Sequence, residues 1–131
     1  RPWQHVLEPI SGYLKLAALL KSDKRIVGES YNFGPSHNYN KTVKDLVTEL
    51  MKPWKTSNYK IDQTGNVNEA NLLALDCEKA RNDLRWSQKL SFKQTADWTA
   101  NWYHTFYTEG KSEAFKITKK QISEYFTNLN D

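Results

Sequence analysis

Arg1 is the residue whose chemistry stands out first, because a guanidinium ahead of an aromatic and an extended run can grip a phosphate with two parallel hydrogen bonds. The other candidates for chemistry are scattered. His5, His37 and His104 have no second His at helical ligand spacing, and Cys77 has no His near it, so no zinc-type cluster is expected. Cys77 is placed at a predicted helix start, where a helix dipole can lower a thiol pKa. A small buried hydrophobe is the simpler reading of that position. Carboxylate pairs for acid–base work would have to come from Glu8 with Glu69, or Asp62 with Glu69. Nothing in their spacing supports a pair, and a solvated or hydrogen-bonded Glu is the default.

Aromatic residues crowd one later segment: Trp98, Trp102, Tyr103, Phe106 and Tyr107. Rings at this spacing could stack on bases or sugars, but helical periodicity favours packing against another element. Asp76 is better explained as a helix cap than as a ligand.

The elements that hold these residues can be read from punctuation and periodicity. Pro2 to Leu7 is expected to be extended, followed by a helix from Pro9 to Leu20 with Ile10, Leu14, Ala17 and Ala18 on one face. Tyr13, Leu16, Leu19 and Leu20 widen that face, so the helix is expected to be buried on most sides. Glu29 to Phe33, Tyr59 to Asp62 and Leu72 to Leu75 read as short extended segments. Thr42 with Asp45 forms a capping box ahead of Val43, Leu46, Val47, Leu50, Met51 and Trp54. A helix is expected over Cys77 to Leu84. Ser91 with Gln94 caps the aromatic helix, and Gly110 stops it. Thr118 with Gln121 reads as a third box, opening a last helix with Ile122, Tyr125, Phe126 and Leu129.

Together these give a helix-rich α+β piece with a few short strands, too few for a parallel sheet with crossovers. The 131 residues fit a single domain or a piece of a larger one. With 38% hydrophobic and 13% aromatic residues the chain is too apolar for a disordered tail. One Cys excludes a disulfide framework. No apolar run approaches the roughly 18–20 residues of a membrane helix, and no signal peptide opens the chain, so a cytoplasmic location is expected. The net charge of +4 comes from interspersed residues rather than a stripe, which argues against nucleic-acid binding. Neither G-x-G-x-x-G nor a P-loop is present. The first residues, Arg1-Pro2-Trp3, include no initiator Met, and the sequence is expected to begin inside a longer protein.

Four blocks carry a family resemblance. Arg1-Pro2-Trp3-Gln4-His5-Val6-Leu7-Glu8-Pro9 with Ser11-Gly12-Tyr13-Leu14 resembles the CDP-glucose 4,6-dehydratases, extended short-chain dehydrogenase/reductases acting on nucleotide sugars. Tyr31-Asn32-Phe33-Gly34-Pro35 is similar to that family's strand and loop. Asn68-Glu69-Ala70 and Leu75-Asp76-Cys77-Glu78-Lys79-Ala80 follow in the same order, and Leu84-Arg85-Trp86 resembles its Leu-Gly-Trp. The closing helices, Trp98 to Tyr103 and Ile117 to Tyr125, extend the resemblance over nearly the whole chain.

The resemblance implies that this chain is the C-terminal, substrate-binding lobe of a Rossmann-type lyase. The missing part would carry NAD and the Tyr-x-x-x-Lys pair, so the chain alone is expected to hold no cofactor and to be inactive. The intact enzyme would oxidise C4 of CDP-glucose with NAD, lose water across C5–C6 and return the hydride to C6. This would yield CDP-4-keto-6-deoxyglucose for surface polysaccharide. It implies further that Arg1 binds the substrate diphosphate and Glu69 a ribose hydroxyl. The intact enzyme is expected to be a homo-oligomer, with no nucleic-acid or membrane partner. Tyr107 to Lys111 fits Tyr-x-x-x-Lys by pattern but straddles Gly110 at a helix end, so it is set aside as catalytic.

Two departures stand out. Many relatives carry Arg or His where this chain has Asn66, which weakens the expected phosphate site. The Gly of Leu-Gly-Trp is Arg85 here, and a left-handed backbone at a non-Gly residue costs about 1 kcal/mol. Two other readings remain: another nucleotide-sugar dehydratase or epimerase of the same family, and a standalone interaction module presenting its amphipathic helices. An uncovered apolar face on the first helix would also favour self-association.

Overall fold

The computed structural model describes residues 1–35, 41–54, 58–60 and 74–127. Among them are five α-helices: α1 Leu7–Leu20, α2 Val43–Leu50, α3 Glu78–Leu84, α4 Phe92–Glu109 and α5 Lys111–Thr127. A 3-10 turn, Lys24–Ile26, follows α1. No strand occurs among the described residues, so the expected α+β class is corrected to an all-helical one.

The reason lies in how the non-helical segments are held. A strand needs repeated backbone bonds to a neighbour. Residues 2–5 and 29–33 are fixed through side chains instead. Gln4 Nε2 donates to the Phe33 carbonyl at 3.0 Å, Trp3 Nε1 to the Lys41 carbonyl at 3.1 Å, and Asn32 Nδ2 to the Asp76 carbonyl at 3.1 Å. Tyr59, Lys60, Ala74 and Leu75 are likewise outside any strand. Ile61, Asp62, Leu72 and Leu73 lie outside the described residues.

Helix α1 begins two residues before its proline. The first four N–H groups of a helix have no partner within it, so Pro9 in the first turn removes nothing. The steric push on the residue before Pro is overcome because the Glu8 carboxylate is anchored inside the protein. It accepts from Leu90 N at 2.7 Å, from Lys89 N at 3.1 Å and from the Tyr125 hydroxyl at 2.8 Å.

The buried face of α1 is formed by Leu7, Glu8, Ser11 and Gly12, with Leu16 and Leu19 half-buried. The face expected to be buried is turned outward: Leu14 is 57% exposed, and Ile10, Ala17 and Ala18 are also exposed. Apolar periodicity alone chose the wrong side, since the packed side is made of a carboxylate, a hydroxyl and a glycine. Gly12 is there for contact: a Cβ on it would sit 2.4 Å from the Phe33 ring.

Phe33 joins Ile26, Ala80, Leu84 and Trp86 in one core cluster, and its ring meets Trp86 edge-on at 5.0 Å. Burying a side chain such as Leu84, 1% exposed, contributes about 1.5–3 kcal/mol. A second cluster gathers Leu7, Leu90 and Tyr125 with Trp98 against it.

Two capping boxes form as the sequence predicts, Thr42 with Asp45 and Ser91 with Gln94. The third does not. Thr118 lies inside α5, where its hydroxyl donates to the Ala114 carbonyl at 3.0 Å and accepts from Trp102 Nε1 at 2.8 Å. A hydroxyl can bond the carbonyl one turn back as readily as cap a helix. The better signal was Ala114, Gln121 and Tyr125, which share the buried face of α5. Helices α4 and α5 pack as a hairpin about Gly110, whose φ of 92° suits a residue without a Cβ. Helix α2 rests on α4, with Trp54 edge-on to His104 at 5.4 Å.

Candidate functional site

Three features surround the start of α1, each built by different chemistry. The first is the polar junction at Glu8, which is fully buried. Ser11 Oγ donates to the Glu8 carbonyl at 2.7 Å and accepts from Trp86 Nε1 at 2.9 Å. The Tyr125 hydroxyl lies 2.8 Å from a Glu8 carboxylate oxygen and 3.0 Å from Ser11 Oγ. Burial, with the neighbouring carboxylate, pushes the Tyr125 phenol well above its ordinary range. Tyr125 therefore stays a donor, and Glu8 serves structure by binding α1, the 89–90 backbone and α5 into one unit. Asp62 and Glu69, the acids considered as its partners or as a pair, lie outside the described residues.

The second feature is a cleft of about 500 Å³ between the start of α1, α4 and α5, lined by His5, Ile10, Trp102, Tyr103 and Ile122 among others. No charged side chain lines it. His5 is 6% exposed, its Nδ1 accepts from Leu7 N at 3.3 Å, and its ring meets Trp98 edge-on. Burial lowers its pKa, which favours the neutral imidazole, so the cleft gives a diphosphate polar groups such as Gln4 and Gln121 but no fixed cation.

The third feature is the edge formed by Arg1, Trp3 and Lys41. The indole N–H of Trp3 donates to the Lys41 carbonyl at 3.1 Å. Arg1 and Lys41 are exposed, and Lys41 immediately precedes Thr42, the residue that caps α2. Two cationic side chains thus leave adjoining backbone at one surface edge. This is the one place among the three where the described residues match a phosphate. Trp3 ties the residues ahead of α1 to the backbone ahead of α2. Lys41 was not singled out as a binding residue, because the contact joins positions far apart in sequence.

The remaining candidates are accounted for locally. Cys77 is buried, and burial pushes its thiol pKa up, the opposite of an activated nucleophile. Helix α3 begins one residue later than expected, so Cys77 and not Asp76 is its N-cap; Asp76, one residue earlier, still accepts from Glu78 N through Oδ1 at 2.9 Å. Tyr107 closes α4 and Lys111 opens α5 on either side of Gly110, so they share no helix face. Trp98 and Trp102 pack inward against Leu90 and α5. Among the described residues, no three of His, Cys, Asp and Glu gather as a metal site. No helix of the described residues is long and apolar enough to cross a membrane. His37 and Asn66 lie outside the described residues. Arg85 is left-handed, with φ 50° and ψ 38°, as expected for the residue standing where the resembled pattern has Gly.

No family model matches the chain. Among curated proteins, the chain is 34% identical over 128 residues to a CDP-glucose 4,6-dehydratase from Salmonella typhimurium. The alignment spans 97% of this chain and 35% of that protein, so the chain spans about a third of its relative's length. The resemblance read from the sequence blocks is thereby borne out. In the structure those blocks meet: Gly12 against Phe33, Asn32 on Asp76, and Trp86 on both Phe33 and Ser11.

Proposed function

We infer that the chain belongs to the CDP-glucose 4,6-dehydratase family and forms the nucleotide-sugar-binding part of such an enzyme. The observation that carries this reading is the 34% identity across 97% of the chain. The intact enzyme would be a lyase removing water from the hexose of CDP-glucose, with NAD as its cofactor.

The described residues do not fit NAD. They contain no strand leading through a glycine turn into a helix, and Tyr107 and Lys111 stand on two different helices. The dinucleotide and the proton-transfer groups are therefore assigned to the part of the relative that this chain does not span. This chain binds and orients, and by itself it turns over no substrate.

Arg1 supplies a guanidinium for the diphosphate, on a segment held by the bond that Trp3 Nε1 makes to the Lys41 carbonyl. Glu69 accepts from a ribose hydroxyl. The buried junction at Glu8 keeps α1, and with it the segment that carries Arg1, fixed against the helical body. Charge neutralisation at the diphosphate and a held ribose orient the hexose while its reacting carbons face groups outside this chain.

The test is steady-state turnover of CDP-glucose by the intact enzyme containing this chain, with Arg1→Ala and Glu69→Gln variants. Each variant is expected to raise KM about tenfold, the effect of losing a charge-assisted hydrogen bond. KM unchanged in both would sink the reading. Comparison with dTDP-, GDP- and UDP-glucose sets the base, with CDP-glucose expected to give the highest kcat/KM.

A further inference from the structure

We propose that the hollow between α1, the 85–89 backbone and the end of α5 binds a phosphate monoester of a small organic molecule, through Lys15, Lys89 and Arg85. The hollow encloses about 340 Å³, and all three basic residues line it. The site uses neither Arg1 nor Glu69, so it stands apart from the reading given above.

Long-range bonds bring the three together. Lys15 Nζ donates to the Arg85 carbonyl at 2.7 Å, which ties α1 to the end of α3. An ammonium has three protons, so two are left for an anion. Lys89 comes from the other side. Its backbone N donates to the Glu8 carboxylate, and its Nζ stands 5.4 Å from the centre of the Tyr125 ring. Partial desolvation lowers the Lys89 pKa, the Glu8 charge raises it, and the Lys15 charge lowers it. The Lys15 and Lys89 charges thus act on one another, as two cations lining one hollow do.

What these cations lack is an acid. Arg25, Lys79, Lys93 and Lys116 each pair with a carboxylate. Lys15, Arg85 and Lys89 form no ion pair among the described residues, and no Asp or Glu among those residues lines the hollow. Glu8 lies beneath, its carboxylate already bound by Lys89 N, Leu90 N and the Tyr125 hydroxyl. Its single negative charge stands against three positive ones. Like charges gathered in a concave surface raise the local potential and draw an anion. Arg85 adds a second sign. Its φ of 50° is a left-handed backbone that penalises any residue with a Cβ, yet a long basic side chain is kept there. Strain of this kind gathers at ligand sites.

The walls choose the anion. Leu14 and Phe126 line the same hollow and are exposed, and Ser87 adds a hydroxyl. The charged oxygens of a monoester meet the ammonium groups and the guanidinium, and its organic part lies on Leu14 and Phe126.

The experiment is calorimetric titration of the intact enzyme containing this chain with phenyl phosphate and with inorganic phosphate at low ionic strength. Phenyl phosphate is expected to bind more tightly than inorganic phosphate. Lys15→Gln and Lys89→Gln are each expected to weaken it about fivefold to tenfold, the loss of a charge-assisted hydrogen bond. Lys89→Arg should bind as the parent does, and Arg85→Gly should bind more weakly in a fold at least as stable. Arg1→Ala should change the affinity less than about twofold, because the site is separate from the diphosphate edge. In the parent protein the affinity should also fall several-fold as salt rises from about 20 to 200 mM. No binding by the parent, parent-like binding in both glutamine variants, or an equal loss in Arg1→Ala would overturn the site. Should a variant not fold, salt-independent binding by the parent would overturn it as well. Inorganic phosphate bound as tightly as phenyl phosphate would overturn the part given to Leu14 and Phe126.

Discussion

At the junction around Glu8, a carboxylate, two hydroxyls, an indole and two backbone N–H groups find partners inside the protein. At the edge around Arg1, Trp3 and Lys41, the bond from the Trp3 indole to the Lys41 carbonyl fixes the chain while the charged groups lie at the surface. Both regions belong to one short stretch at the start of the chain, yet they use polar chemistry for opposite ends. A buried charge whose partners are all protein groups cannot exchange them for a ligand without leaving several donors unsatisfied, so it serves the fold. A charged group at the surface keeps its contact with solvent, which a buried one has given up. Polarity and burial together, rather than residue type, separate the structural acid from the base proposed to bind.

The comparison can be broken by substitutions that cross it. The largest effect is expected from Glu8→Ala, which strands Lys89 N and Leu90 N and leaves the Tyr125 hydroxyl only Ser11 Oγ as acceptor. At ~1–3 kcal/mol for each orphaned group, a stability loss of roughly 2 kcal/mol or more should appear in urea unfolding. Tyr125→Phe, which removes one donor, should cost less. A Glu8→Ala protein as stable as the parent would remove the junction's structural role.

Gly12→Ala comes next. Its methyl would meet the Phe33 ring at 2.4 Å, and displacing that ring from Trp86 should cost about 1–3 kcal/mol, again read by urea unfolding. Arg1→Ala belongs to the other side of the comparison. It should weaken CDP about tenfold by calorimetry with no change in melting temperature, because the change in an exposed guanidinium is felt by the ligand and not by the core. The smallest expected effect is a gain. Arg85→Gly should stabilise the chain by about 1 kcal/mol, relieving a left-handed backbone at the end of α3. A thermal melt checks it, and an unchanged or lower melting temperature would mean that Arg85 side-chain contacts outweigh the strain.

The sequence made the capped helices legible. Thr42 with Asp45 and Ser91 with Gln94 set the starts of α2 and α4, and Gly110 set the turn between α4 and α5. It also allowed Arg85 to be read as a left-handed residue before its backbone was seen. What it hid was governed by long-range contact. The buried side of α1 depends on Glu8 and Ser11 meeting Leu90, Trp86 and Tyr125, and a pattern that counts apolar residues ranks such a face as solvent-exposed. The expected strands failed for a related reason, since extended composition does not supply a neighbour to pair with. At the candidate site, Arg1 was legible from its chemistry and its block. Lys41 emerged only when the structure brought its carbonyl to Trp3.

Substrate binding is proposed at the exposed edge and not in the uncharged cleft beside His5. The most direct test is a nitrogen–proton NMR titration of the chain with CDP. The account predicts shifts concentrated at the Arg1 side chain, the Trp3 indole and the amides around Lys41, with His5, Trp102 and Tyr125 little changed. Shifts centred on His5 and Trp102, with the Arg1 and Lys41 signals unmoved, would contradict it.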